Sequence, residues 1–447
     1  MLTTLTYTIP TNGLNINIQA LNERFKHICI FDSNLQANKN QHLQASKIIA
    51  IGSTQELIVT HSKNALTELQ QFYDERKGWL FGYLTYDIKN EIENLTSENS
   101  DGLGFPVLQF FVPKVVMQIN ATNISVTYDD NFVTKTEAEE IYYLSVNHPN
   151  LDLTNPPNPL YKGELIPLRK VVIQSKIKKS EYIDSVSQLK QRIRKGDIYE
   201  VNFCQEFFAE NAEINTVAIF EKLNELSQAP FTAYCKFDKH YALCASPERF
   251  LQKRGNRLIS QPIKGTIKRS ENKIEDEQLK LKLQNSNKER SENVMIVDLV
   301  RNDFSRIAKA GSVHVDELFG IYSFKQLHQM VSTVSCELNK NVSFTDIIKS
   351  TFPMGSMTGA PKVSAMKIIE QYESTKRGLY SGAIGYITPD GDFDFNVVIR
   401  SILYNSENKY LSFMVGSAIT DKAIAEEEYE ECLLKAKAMF EVLQNNN

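Results

Sequence analysis

From residue 198 to the region of Phe250 the chain runs through strand-like segments at 198–208, 232–237, 241–246 and around Phe250, the last three joined by short turns. A parallel sheet would need a long crossover between neighbouring strands, so the succession reads as antiparallel. A second meander follows, with turns at Pro389-Asp390-Gly391-Asp392 and at 405–408. Helical periodicity appears beside the strands at 179–195, 293–309, 361–372 and 424–443. In the first of these helices Tyr182, Val186, Leu189 and Ile193 share one face, and Gly196 ends it. Strands mixed with separate helices, without strict βαβ alternation, place the chain in the α+β class.

The first 150 residues alternate strand-like runs (28–31, 48–51, 79–85, 105–117) with polar stretches and carry no motif of chemical meaning. The segment from Asn147 to Pro167 includes NHPNLDLTNPPNPL, whose four prolines can continue neither a helix nor a central strand. A boundary is expected there, dividing an N-terminal region, 1–165, from a second region, 166–447.

Fifty Lys plus Arg against 54 Asp plus Glu leave a net charge of −4, which disfavours a phosphate-tracking nucleic-acid surface and turns attention to small molecules. No apolar run reaches the roughly 18 residues of a membrane span, and MLTTLTYTIPTNG lacks the basic and apolar parts of a signal peptide. A cytoplasmic protein is expected. Cys29, Cys204, Cys235, Cys244, Cys336 and Cys432 show no CxxC pair, so they read as reduced core residues.

Several groups could carry chemistry. GSMTGAPK, 355–362, places glycines, hydroxyls including Ser356, and a helix start together, which suits an anion; the alternative is a plain helix cap. Glu428 and Glu431 share a face of the last helix, and Glu292 and Glu431 each lie beside the apolar stripe of their helix. Partly unsatisfied carboxylates on two helices can hold Mg²⁺ when substrate oxygens complete its shell. Lys264 in QPIKGT is a nucleophile if desolvated and an inert ammonium if solvated. Glu248 in SPERF could pair with Arg249, and His328 in LHQMVS could be a satisfied core imidazole. Tyr386 and Arg400 fall on adjacent segments of the second meander and could grip a carboxylate together. A two-residue Asp390-Gly391 hairpin would put them on opposite faces, so joint binding requires an odd-length loop or a bulge.

Taken in order, GDIYEVNFCQ (196–205), SPERFL (246–251), PIKGT (262–266), ENVMIVDLVRND (292–303), FPMGSMTGAPK (352–362), SGAIGYI (381–387) and EEEYEECLLKA (426–436) resemble the chorismate-utilising enzymes. That family includes anthranilate synthase component I, aminodeoxychorismate synthase component I and isochorismate synthase. The resemblance covers nearly everything after residue 165, and GWLFGYLTYD (78–87) is similar to the family's N-terminal region. PIKGT, with Lys264, resembles the aminodeoxychorismate synthases, whereas anthranilate synthases carry PIAGT.

The resemblance implies two large antiparallel β-sheets packed as a sandwich, with helices outside and the active site between. It assigns Mg²⁺ to Glu292 and Glu431, with Glu428 beside them, and the pyruvyl carboxylate of chorismate to Tyr386 and Arg400. Gly265, Thr266, His328, Ser356 and the amide-rich Gly416, Ser417 and Ala418 would complete the substrate site. Glu248 would be the general acid and Lys264 the nucleophile that adds at C2, before ammonia adds at C4 to give 4-amino-4-deoxychorismate. None of the seven histidines is followed two places later by Glu, so a separate glutamine amidotransferase subunit is expected to supply ammonia. Anthranilate and isochorismate synthesis are the alternatives. Two positions depart from the family pattern: Glu200 stands where Gln is usual, and the glycine-rich segment is GSAIT, 416–420.

Overall fold

A computed structural model of the chain describes residues 1–9, 14–34, 47–146, 171–325 and 327–444. Among these residues the strands form two antiparallel sheets, of twelve and ten strands. The α+β sandwich expected from the sequence is the architecture found. In the larger sheet the N-terminal strand His27–Asp32 pairs with Phe231–Phe237, and the order continues through His240–Ser246, Ser401–Asn405, Tyr410–Ile419 and Glu200–Ala209. In the smaller sheet Leu80–Leu84 pairs with Ala383–Ile387, and the order continues through Phe393–Val397, Arg249–Arg254, Arg257–Gln261, Leu327–Glu337 and Ile263–Lys268. Strands from before and after the proline-rich segment therefore share both sheets. The division at residue 165 separates regions of sequence and not separate cores; the boundary itself lies outside the described residues.

The sheets fit by complementary side-chain size. On strand Phe231–Phe237 the small Ala233 and Cys235 face the inter-sheet core, while Tyr234 between them faces the outer helices. Cys29, Cys204 and Cys244 also lie in that inter-sheet core, to which the other sheet contributes Phe81, Tyr83 and Phe111, the last two against Phe237. Small residues on one face let aromatic rings from the facing sheet interdigitate at close-packed density. All six cysteines are buried free thiols, which accounts for their scatter.

Helices Lys179–Arg194, Thr216–Ser227 and Ala425–Gln444 cover the outer face of the larger sheet. Helix Asn287–Ser305 packs against strands Ile263–Lys268 and Leu327–Glu337. Its Ser286 cap accepts from the Glu289 amide, so it begins six residues before the apolar repeat that marked it in the sequence. No helix among the described residues is long and apolar enough to cross a membrane.

Candidate active site

A cleft of roughly 870 Å³, open mouth included, lies where strand Ile263–Lys268 faces strands Glu200–Ala209 and Tyr410–Ile419. Lys264, Gly265, Thr266, Glu248, Glu292, Ser356, Arg400, Gly416, Ala418, Glu428 and Glu431 all line it. These residues come from segments as far apart as Glu248 and Glu431, so the fold gathers most of the expected site.

Lys264 owes its aim to a bulge. Ile263 pairs with Val331 and Thr266 with Gln329, leaving one extra residue on the Lys264 strand. Bulges of this kind turn a side chain out of the ladder's alternation. Gly265 has φ +98, a backbone conformation that favours glycine, and a Cβ there would press on the Glu289 carboxylate at 3.0 Å. Within the cleft the Lys264 Nζ donates to Glu200 Oε1 at 2.7 Å. Burial works to lower the Lys264 pKa, but Glu200, Glu292 and Glu431 outweigh it and hold the ammonium above its ordinary range.

Glu248 is buried, and burial pushes its carboxyl up from 4.5 to about 7, against the opposing pull of Ser356 and Lys264. Ser356 Oγ donates to Glu248 Oε1 at 2.6 Å. The glycine-rich segment is therefore not the anion cradle expected from its composition. Gly355–Met357 makes one 3₁₀ turn, Gly359–Ala360 pairs with Glu200 and Val201, and Lys362 turns away to Asp303 at 2.6 Å.

The carboxylates present a divided picture. Burial pushes Glu292 up from 4.5 to about 7, and its Oε1 is buried with no hydrogen-bond partner. Glu428 accepts from Lys288 at 3.1 Å, and Glu431 pairs with Lys435 at 2.7 Å, which holds Glu431 below its ordinary value. Among the described residues no three His, Cys, Asp or Glu side chains form a ready-made metal cluster. Three carboxylates that line the cleft from two helices, one with an orphaned buried oxygen, are a hard donor set that fits a divalent cation sharing its shell with ligand oxygens.

Three of the expected substrate contacts lie elsewhere. Tyr386 pairs with Asp394 across a five-residue loop, the odd length that joint binding required, yet its ring packs among Phe31, Trp79 and Phe81 at 5.7 to 5.9 Å. It lines a second cavity with Arg249, Arg254 and Asp394 instead of the cleft. The reason is that Arg400 is not on the adjacent strand at all. After Phe393–Val397 the chain leaves the smaller sheet, and it joins the larger one at Ser401–Asn405. Arg400 sits in that crossing with φ +51, a conformation that aims its guanidinium into the cleft. The tyrosine that lines the cleft with it is Tyr380, which the sequence did not single out.

His328 is also outside the cleft. Its Nε2 meets Asp276 Oδ1 at 3.0 Å and its Nδ1 meets Ser323 Oγ at 2.8 Å, so it fastens helix Lys273–Gln284 to the sheet. Ser417 points through the opposite face of its strand, to Tyr182 Oη at 2.8 Å. Lys288 and Lys435, also missed, stand four residues from Glu292 and Glu431 on the same helices, a spacing that the sequence did display.

A family model described as chorismate binding enzyme matches residues 22–441. The chain belongs to that family. It is 39% identical over 272 residues to aminodeoxychorismate synthase component 1 of Salmonella typhimurium, covering 61% of this chain and 59% of that protein. With the Bacillus subtilis protein of the same name it shares 31% over 396 residues, 86% of this chain and 80% of the relative. Against the chloroplastic aminodeoxychorismate synthase of Arabidopsis thaliana the identity is 39% over 263 residues, 58% of this chain but 28% of the longer plant protein. Among solved structures, anthranilate synthase component I from Streptococcus pneumoniae superposes with a TM-score of 0.75 at 25% identity, covering 88% and 92% of the two chains. The menaquinone-specific isochorismate synthase of Escherichia coli shares the fold, with a TM-score of 0.76 at 15% identity over 99% and 95%.

Proposed function

We propose that the chain aminates chorismate to 4-amino-4-deoxychorismate, as an aminodeoxychorismate synthase component I. One observation carries this reading: the cleft holds a buried amine, Lys264, on the same walls as a carboxyl whose pKa lies near 7, Glu248. The Arg400 guanidinium would bind the side-chain carboxylate of the substrate, beside Tyr380. Glu248, protonated below about pH 7, would give its proton to the C4 hydroxyl, which leaves as water. Lys264 Nζ, once neutral, forms a bond to C2 as the C4–O bond breaks. Ammonia then bonds to C4, and the C2–N bond to lysine breaks in return.

Glu292, Glu431 and Glu428 would hold Mg²⁺ against the ring carboxylate. When bound, the ion neutralises the carboxylate and draws electrons from the diene. Ammonia would come from a glutamine amidotransferase component, and a second enzyme would finish p-aminobenzoate for folate synthesis.

Chorismate, Mg²⁺ and ammonium ions are supplied to the purified chain, with and without an aminodeoxychorismate lyase. p-Aminobenzoate appearing only with the lyase supports the reading. Fluorescent anthranilate as the main product, with or without lyase, replaces it with anthranilate synthesis.

A further inference from the structure

The covalent step needs Lys264 as a free amine, yet the cleft holds it as an ammonium, so a neighbouring group must accept a proton. We propose that Glu200 is the catalytic base that takes this proton from Lys264. This step rests on the chorismate reading above.

The geometry singles Glu200 out from five other carboxylates that line or approach the cleft. Glu248 is engaged by Ser356 and is needed in its protonated form. Glu428 and Glu431 are paired with Lys288 and Lys435. Glu289 and Glu292 make no hydrogen bond to Lys264; Glu292 acts on it only through its charge. Glu200 alone touches the reacting nitrogen, at 2.7 Å, with a side chain that is 1% exposed. Its second oxygen, Oε2, is buried with no partner, so a proton arriving on the carboxylate displaces no other bond.

The backbone that carries Glu200 is fixed. Glu200 pairs with Ala360, the Tyr199 amide donates to the Ala360 carbonyl at 2.7 Å, and a Cβ on Gly359 would fall 2.1 Å from the Glu200 carbonyl oxygen. Glycine at 359, with φ +152, is what allows this close approach. The short segment after Ser356 thus places both the acid, through Ser356, and the base, through the Glu200 strand.

The protons balance. One moves from Lys264 to Glu200, the nitrogen bonds to C2, and the C4 hydroxyl departs with the proton of Glu248. Ammonia arrives at C4 carrying an extra proton, the released lysine recovers that proton, and the proton held by Glu200 replaces the one lost from Glu248. The sum is chorismate plus ammonia giving aminodeoxychorismate plus water.

Glu200→Gln keeps the shape and a hydrogen bond to lysine but cannot accept a proton. Wild type and variant are mixed with chorismate and Mg²⁺ without ammonia, and the adduct on Lys264 is followed in time by intact-protein mass spectrometry. The adduct rate in the variant should fall about 100-fold at neutral pH, the lower range for loss of a general base. Measured against wild type at the same pH, so that loss of the Glu248 proton slows both alike, the variant should close the gap as pH rises toward about 10, where lysine loses its proton to solvent. The charged groups facing Lys264 through this range are Glu200, Glu248, Glu289, Glu292, Glu431 and Lys435.

If the pair serves only to keep Lys264 charged, Glu200→Gln will form adduct as fast as wild type or faster at neutral pH, which overturns the proposal. A variant that stays equally slow relative to wild type at every pH also overturns it, since that is loss of positioning alone. If wild type itself forms no adduct, the covalent reading of the whole site fails, a result distinct from either. Should Glu200→Gln not fold, Glu200→Asp decides: a rate at least 10-fold lower with unchanged chorismate affinity supports the base, and an unchanged rate refutes it.

Discussion

The Ser356 hydroxyl donates to Glu248 Oε1 at 2.6 Å inside the cleft, linking a loop residue to the acid 108 positions earlier. The bond stabilises the charged carboxylate, whereas burial, the larger influence, favours the protonated form and raises the pKa to about 7. As a proton donor Glu248 works below that value, so kcat should fall as pH rises through about 7. Ser356→Ala removes a bond to the charged form, so the falling limb should move to higher pH while kcat drops. A limb that moves to lower pH, or stays fixed, would show that another group supplies the proton. Glu248→Gln should lose turnover by at least about 100-fold at every pH.

Arg400 and Tyr386 should separate in kinetics as they do in space. A charge-assisted hydrogen bond contributes about 1.5–3 kcal/mol, so Arg400→Gln should raise KM for chorismate about 10- to 100-fold. Tyr386→Phe removes a hydroxyl that accepts from Arg254 at 3.4 Å in the other cavity, and should leave KM within about twofold. Steady-state kinetics on the two variants checks the assignment. A large KM effect in Tyr386→Phe would return it to the substrate site.

The sequence disclosed the elements with unbroken periodicity and the residues whose role depends on type and order. Strands Phe231–Phe237 and His240–Ser246 and helix Lys179–Arg194 lie within a residue of their expected limits. Helices Thr216–Ser227 and Lys273–Gln284 went unseen: the first falls in a stretch read as a link between strands, and the second is mostly polar, with one apolar residue, Leu283, fully buried. Lys264, Glu248, Glu292 and Glu431 were legible because their chemistry is carried by the side-chain type. Tyr386 was misplaced because the argument assumed one meander, whereas the chain changes sheets between Val397 and Ser401. A change of sheet leaves no periodic trace, since alternation simply resumes in a new plane. His328 and Ser417 failed for a related reason: each sits in a fitting strand with its side chain turned away from the cleft.

Glu292 should show opposite effects on activity and stability. Its buried Oε1 lacks a partner, and burial of the carboxylate is what raises its pKa to about 7. Above that pH, the protein without divalent cations must keep an ionised group in a poorly solvated place. Glu292→Gln removes that charge, so the metal-free variant should match or exceed wild type in Tm at pH 8 while losing Mg²⁺-dependent turnover. Adding Mg²⁺ should raise the Tm of wild type and not of the variant. A variant that melts well below metal-free wild type would mean that the carboxylate is structural, and an unchanged Mg²⁺ shift would remove Glu292 from the cation site.

Lys264 and Glu200 should also be coupled in stability, and the pattern separates a buried pair from two independent residues. Their side chains are 10% and 1% exposed, so each charge is costly without the other. Removing one member of a buried pair typically destabilises by about 3–5 kcal/mol, whereas replacing both with neutral groups of similar volume costs far less. Lys264→Met alone should therefore lower stability markedly, because Glu200, Glu292 and Glu431 lose the cation that they share. Adding Glu200→Gln to Lys264→Met should recover part of that loss, limited by the two carboxylates that remain. Denaturant titration of the two single variants and the double variant gives the coupling energy directly. Recovery of stability without any recovery of the chorismate adduct is the expected outcome, since the pair can be made dispensable to the fold while Lys264 stays indispensable to the reaction. Additive single losses, with no recovery in the double variant, would mean that the 2.7 Å contact is not energetically significant.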